Sequence, residues 1–317
     1  MTPSRLVSFG EAMIRMTPPE GIPLETATSF DATIGGAELN VAVAARRQGM
    51  PSTWVSTVPA GPLGRLVARH AAASDVETVL RRVNGARLGL YFFERATSPR
   101  ASHIIYDRHG SAFVREPDPE HSWSDLLSAD TFLVVTGITA ALGPSPRRVV
   151  GEAIEAAASL GSAVAVDLNY RASLWSIDEA FSWLSDHMPR IDVLSAAPSD
   201  VDQLGITSEN RYQSAVAKFG LSAVIGASKE VKGRTAHITV TAATPEECVT
   251  GAAEAEIRDP VGTGDAMFGT FLACLNRMPL QQTVEKSVGA VVTAYGLDGD
   301  VLTSDPWTAE EMGAVRR

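Results

Sequence analysis

The sequence predicts an α/β fold, with a largely parallel sheet covered by helices on both faces and a small β appendage. Three observations carry this. From Phe132 onward, short apolar strands alternate with longer helical stretches, the pattern of βα units. Upstream, Ala86 to Arg95 (ARLGLYFFER) and Ala101 to Arg108 (ASHIIYDR) alternate large and polar residues about a turn-prone stretch with Ser98 and Pro99. That is a hairpin pattern, out of place in a βα run. Finally, 317 residues with 45% hydrophobic and 20% charged residues can bury one large core. The expectation is a single unit over 1–317, with a lid from about 12–34 and 86–112 inserted in it.

In chain order, Arg5 to Phe9 reads as a buried strand ending at Gly10-Glu11. Ala12 to Ile34, with Pro18, Pro19, Gly21 and Pro23, reads as irregular and outside the core. Gly35-Gly36 then opens an apolar helix ending near Gly49, and Asn40 on its first turns needs a partner for its amide. The double glycine also fits a plain turn. Thr53–Val58 is a strand and Leu63–Ala73 a helix, followed by the hairpin.

Beyond it come strand Phe132–Val135, helix Pro146–Ser159, strand Ala163–Asp167, helix Asp178–His187 and strand Asp192–Ser195. A helical region reaches Phe219. Leu221–Gly226, Thr235–Thr241 and Ala253–Ile257 read as strands, and Asp265–Asn276 and Leu280–Tyr295 as helices before a polar tail. Ligands of such sheets bind beyond the carboxyl ends of strands, which places Asp167 in a functional position.

The net charge of −10 argues against nucleic acid or an anionic membrane as partner, so any anionic ligand must be held by local arginines and backbone amides. Cys248 and Cys274 are too few for a disulfide framework or zinc site and read as buried thiols of a reducing compartment. The first residues lack an apolar core long enough for a signal peptide, and Phe132 to Gly143 is too short to span a bilayer. A cytoplasmic location is expected.

The stretch richest in chemistry is DPVGTGDAMFG, Asp259 to Gly269. A glycine turn that opens a helix aims unpaired N–H groups at one spot, where the dipole favours negative charge. Asp265 in the first turn could take a hydroxyl proton beside a phosphate held there, or could simply cap the helix. A dinucleotide fingerprint is weaker, because Met267 stands where its third glycine belongs.

Together, GGAELNVAVAARRQG (Gly35 to Gly49) and DPVGTGDAMFG resemble the two signature motifs of the PfkB, or ribokinase-like, carbohydrate kinases, and the resemblance extends over essentially the whole chain. It implies a Rossmann-like three-layer sandwich with a largely parallel sheet and a β-sheet lid, transferring the γ-phosphoryl of ATP to a sugar hydroxyl with Mg²⁺. By motif, Asp265 is the base, and Gly262, Thr263 and Gly264 form the anion hole. Gly35, Gly36 and Asn40 line the sugar pocket, and Asp259 marks a monovalent-cation (K⁺) site. A helix N-terminus is expected to lower the pKa of Asp265.

YFFER with Arg100, IIYDRHGSA, DLNYRASLW and LDGDVL further resemble 2-keto-3-deoxygluconate kinases. A sugar acid needs a guanidinium, for which Arg171 is the choice, with Tyr91, Tyr106 and Arg108 reaching from the lid. The family's Asn-x-x-Glu appears only as Ser199-Asp200-Val201-Asp202, which leaves Ser199 on the nucleotide and Asp202 on magnesium. The nucleotide side also departs from the family at Val224 to Arg234, where Ser228 is the candidate contact beside Lys229. Alternatives are another PfkB sugar kinase (fructokinase, ribokinase or keto-deoxygalactonate kinase) or a non-catalytic sugar-acid binder. The family's lids often pair, so a homodimer through a lid face holding Leu90 and Phe92 is expected by analogy.

Overall fold

Strand β1 (Arg5–Phe9) shows how the molecule is layered. Leu6 joins one core cluster, while Val7 and Phe9 join the other. Thr131–Thr136 repeats the division, with Phe132 and Val134 on one face and Leu133 and Val135 on the other. A strand covered on both faces must be apolar on both, so these segments read as continuous hydrophobic runs.

The computed structural model describes residues 3–95, 101–304 and 306. Ser98, Pro99 and Arg100 of the expected hairpin turn, and most of the polar tail, lie outside the described residues. The strands after β1 are β2 (Met13–Thr17), β3 (Asp31–Gly35), β4 (Ser52–Pro59), β5 (Glu77–Val83), β6 (Leu90–Glu94) and β7 (His103–Asp107). They continue with β8 (Thr131–Thr136), β9 (Ala163–Asp167), β10 (Val193–Ser195), β11 (Ala223–Lys232), β12 (Thr235–Ala243) and β13 (Cys248–Glu256). Nine strands form one sheet in the order β13-β12-β11-β10-β9-β8-β1-β4-β5. Pairing is parallel from β5 to β11 and antiparallel over β11-β12-β13.

Helices Ala37–Arg47, Pro62–Ala73, Thr263–Cys274 and Leu280–Tyr295 cover one face, and Pro144–Leu160, Ile177–His187 and Arg211–Phe219 cover the other. This is the expected three-layer α/β architecture. The helices Ala37–Arg47 and Thr263–Cys274 approach closely because Gly269 has no side chain, and a Cβ there would strike the Val41 carbonyl and come 2.7 Å from the Ala44 Cβ. That contact sets Asn40 against Asp265.

The second sheet, β3-β2-β6-β7, is made by the strands of the expected lid segments. Ala12 to Ile34 is therefore not irregular throughout. Its prolines lie in the connection between β2 and β3, and those strands are fixed by pairing with each other and with β6, which a local reading cannot register. Nor is it outside the core, since Met13, Ile14 and Arg15 are buried. Edge strand β5 was hidden by its charges, Glu77, Arg81 and Arg82. Leu90 and Phe92 are half-buried, Phe92 against Phe30 at 5.8 Å. Cys274 is buried as expected, but Cys248 is exposed on outermost strand β13. No helix among the described residues is long and apolar enough to cross a membrane.

Candidate active site

Between lid and sheet lies a cleft of about 730 Å³ at the carboxyl ends of the central strands. Its floor is the start of the Thr263–Cys274 helix. Gly262 caps that helix at φ +79°, a left-handed conformation, and a Cβ on it would collide with the Asp300 carbonyl. Glycine is required there on both counts. The helix's first N–H groups have no carbonyl one turn back, and the residues that carry them, Gly262 to Asp265, line the cleft. A Cβ on Gly264 would meet nothing within 4 Å, so the space above this cradle is open.

Asp265 is 7% exposed, and its Oδ2 accepts a hydrogen bond from Asn40 Nδ2 at 2.8 Å. That bond provides the partner the buried amide of Asn40 needs. Burial, reinforced by the carboxylates of Asp167 and Asp300, pushes the Asp265 carboxyl up to about 8 despite the Asn40 bond and Arg171. This corrects the expectation of a lowered pKa, because desolvation outweighs the helix dipole. Asp167 ends β9 and is raised by burial to about 6. Its Oδ1 accepts the N–H of Asn169, which turns the chain at φ +39° and leads to Arg171.

Arg171 lines the cleft, is exposed, and forms no ion pair or side-chain hydrogen bond with any described residue. Its charge is felt by Tyr106, Asp167, Asp200 and Asp265.

The lid residues divide in two. Tyr106 overhangs the cleft, its ring 5.6 Å from Tyr91. Tyr91 is buried, and its hydroxyl donates to Asp300, so that end is committed to the scaffold. Arg108 likewise donates to Glu11 Oε2 at 2.6 and 2.8 Å, and Ser111 donates to the other Glu11 oxygen. Gly35 and Gly36 leave room for this packing, since a Cβ on Gly35 would strike the Asp300 carboxylate and one on Gly36 the Glu11 carbonyl.

At the opposite end, Ser199, Asp200, Ser228 and Lys229 line the cleft beyond β10 and β11. Asp202 does not. Its Oδ2 is paired with Arg211 at 2.8 Å, and the carboxylate facing the cleft is Asp200, raised by burial. The helix Pro198–Gln203 turns those two residues to different sides. Asp259 also departs from expectation, being fully buried and paired with Arg15. Among the described residues no group of three His, Cys, Asp or Glu side chains could hold a metal ion.

Sequence reading missed Glu11, Arg15, Glu38, Asp200 and Asp300. Glu38 is buried under the cleft, accepting the hydroxyls of Thr136 and Thr139 at 2.6 Å each, and burial raises its pKa. A carboxylate in the first turn of an apolar helix was the available signal for it. Arg15 alternates with apolar neighbours in MIRMT, but nothing local pairs it with Asp300, 285 residues away.

Residues 3–296 match the sequence profile described as pfkB family carbohydrate kinase. The chain is 35% identical to the 2-dehydro-3-deoxygalactonokinase of Haloferax volcanii over 98% of its own length and 96% of that protein's. It is 27% identical to the 2-dehydro-3-deoxygluconokinase of Thermoproteus tenax, covering 97% and 93% of the two chains. The solved 2-dehydro-3-deoxygluconokinase of Thermotoga maritima superposes with a TM-score of 0.88 at 29% identity, over 98% of both chains. With a glycine-capped helix start, a buried carboxyl beside it and a small second sheet, the chain belongs to the pfkB family and is an ATP-using carbohydrate kinase.

Proposed function

We propose that the protein transfers the γ-phosphoryl of ATP to the terminal hydroxyl of a 2-keto-3-deoxy aldonic acid. The observation that carries this is Arg171, an unpaired guanidinium on the same cleft as Asp265. A guanidinium binds a carboxylate through two parallel hydrogen bonds, which a neutral sugar cannot offer. The resemblance of the lid and of DLNYRASLW pointed to the gluconate epimer. The higher identity to the kinase named for the galactonate epimer moves that substrate to first place, with gluconate the second reading.

In this reading Arg171 holds the substrate carboxylate and Tyr106 covers the sugar. Asn40 holds Asp265 Oδ2, while Oδ1 has no hydrogen-bond partner among the described residues and receives the proton of the terminal hydroxyl. The substrate's hydroxyl oxygen, its proton passed to Asp265, forms the bond to the γ-phosphorus as the bond to the β-phosphate oxygen breaks and ADP leaves. The N–H groups of Gly262, Thr263 and Gly264 receive the charge on the transferred group. A carboxyl near 8 is a stronger base than an ordinary aspartate and is poised close to working pH.

Magnesium, arriving with the nucleotide, would neutralise phosphate charge. Asp200, beside Ser199 and Ser228, fits a hydrated ion better than Asp202, whose carboxylate is held by Arg211.

A coupled ADP-release assay over the two keto-deoxy acids, fructose and ribose tests the proposal. Turnover at least as fast on fructose or ribose would remove the sugar-acid assignment. Tight sugar-acid binding without ADP would instead indicate a binding protein.

A further inference from the structure

Where the lid meets the catalytic loop, one guanidinium and two carboxylates are buried together. Arg15 on β2 is 1% exposed, Asp259 0% and Asp300 6%. Arg15 Nη2 pairs with Asp259 Oδ2, Nη1 donates to Asp300 Oδ1 at 2.6 Å, and Nε donates to Thr17 Oγ1 at 2.9 Å. Tyr91 donates to the second Asp300 oxygen. The second Asp259 oxygen accepts the N–H of Val261 at 3.1 Å, and Gly299 N–H reaches Oδ2 at 3.3 Å. Phe93 lies under the guanidinium, 4.3 Å from its ring centroid. All four carboxylate oxygens therefore have donors, and a positive charge is already seated between them. Burial works against that charge, but Asp300 and Asp259 outweigh it and keep Arg15 protonated.

The family resemblance led us to expect a monovalent cation beside Asp259. These residues do not fit one. An ion there would meet a fixed guanidinium at close range and find no carboxylate oxygen without a donor, an uncompensated charge in a buried site. Both residues also touch the cradle itself, Asp259 through its carboxylate and Asp300 through its backbone. Asp259 fixes the N–H of Val261, just before Gly262, and the Asp300 carbonyl fills the place a Gly262 side chain would take.

We propose that Arg15 supplies, from within the chain, the positive charge that orders the DPVGTGD loop, so that phosphoryl transfer here needs no monovalent cation. Arg15 is then a positioning residue, and because it sits on β2 the cradle is completed by the lid strand. This rests on the kinase reading.

The test begins with the unaltered protein in KCl, NaCl or choline chloride at equal ionic strength, followed by ADP release and by thermal unfolding. Equal turnover and an unmoved midpoint are expected. Stimulation by K⁺ of about tenfold, or a midpoint raised by K⁺ alone, would overturn the proposal. Arg15→Met should lower kcat by about 100-fold with little change in either KM, because the cradle is misplaced rather than the ligands lost. Turnover like the parent's would overturn it. If Arg15→Met does not fold, Arg15→Lys keeps the charge but cannot bridge both carboxylates. Its kcat should fall by about tenfold, and an unchanged value would count against the bridge. If no sugar yields ADP, the kinase reading fails, while the unfolding comparison still decides whether the loop takes a cation.

Discussion

Replacing Asp265 by Asn separates catalysis from stability in one protein. Asp265 is buried and its carboxyl is raised from 3.8 to about 8. Between those values the folded state binds a proton that the unfolded state does not, so wild-type stability falls as pH rises through the window. Each pH unit well inside it costs about 1.4 kcal/mol, or about 3 kcal/mol between pH 5 and pH 7. Asn keeps an oxygen for the Asn40 amide and carries no charge to desolvate. Asp265→Asn should therefore match wild type only below the unfolded pKa of 3.8 and exceed it progressively from there toward pH 8 in urea unfolding. In the same preparation kcat should drop by about 10²–10⁴-fold while sugar KM changes little, the loss of a general base. A stability difference that stays flat with pH would refute the argument for a buried, protonated carboxyl. Retained turnover would refute the base.

Two further substitutions examine the two ends of the cleft. Arg171→Met should raise KM for the keto-deoxy acid by about 10–100-fold, since hydrogen bonds to charged groups contribute about 1.5–3 kcal/mol, and leave KM for ATP unchanged. It should also move the ascending, acidic limb of the kcat/KM profile, expected near 8, to higher pH, because Arg171 lowers the Asp265 pKa. Gly264→Ala places a methyl in space no protein atom occupies, so unfolding should show equal or slightly higher stability, by up to about 1 kcal/mol. Phosphoryl transfer should nonetheless fall, because the methyl enters the cradle.

What the sequence disclosed follows from locality. The strand Ala163–Asp167 and the helix Leu280–Tyr295 were read with their observed bounds, because apolar runs and helical periodicity are written in consecutive residues. The glycine-capped helix start and the need of Asn40 for a partner were legible because glycines and a lone amide on an apolar helix each need an explanation. The lid's first half was not legible, as β2 and β3 are short, are separated by prolines, and exist through pairing with β6. The Arg15–Asp259–Asp300 cluster joins three distant parts of the chain, and although Asp259 and Asp300 lay in recognisable stretches, nothing local brings them together on Arg15. Asp200 and Asp202 could not be told apart until the helix carrying them was oriented against Arg211. The expected low pKa of Asp265 failed because a dipole can be read from sequence, whereas depth of burial cannot.

Phosphoryl transfer in this cleft should end on the terminal hydroxyl oxygen of the sugar acid, which the product itself reveals. The protein, ATP, magnesium and 2-keto-3-deoxygalactonate should be incubated together and the product followed by proton-coupled phosphorus NMR. A new phosphomonoester signal split by two protons of a terminal CH₂ is expected, growing as ADP appears and absent with Asp265→Asn. ADP without a sugar phosphomonoester, or a phosphate coupled to one proton of a secondary carbon, would contradict it.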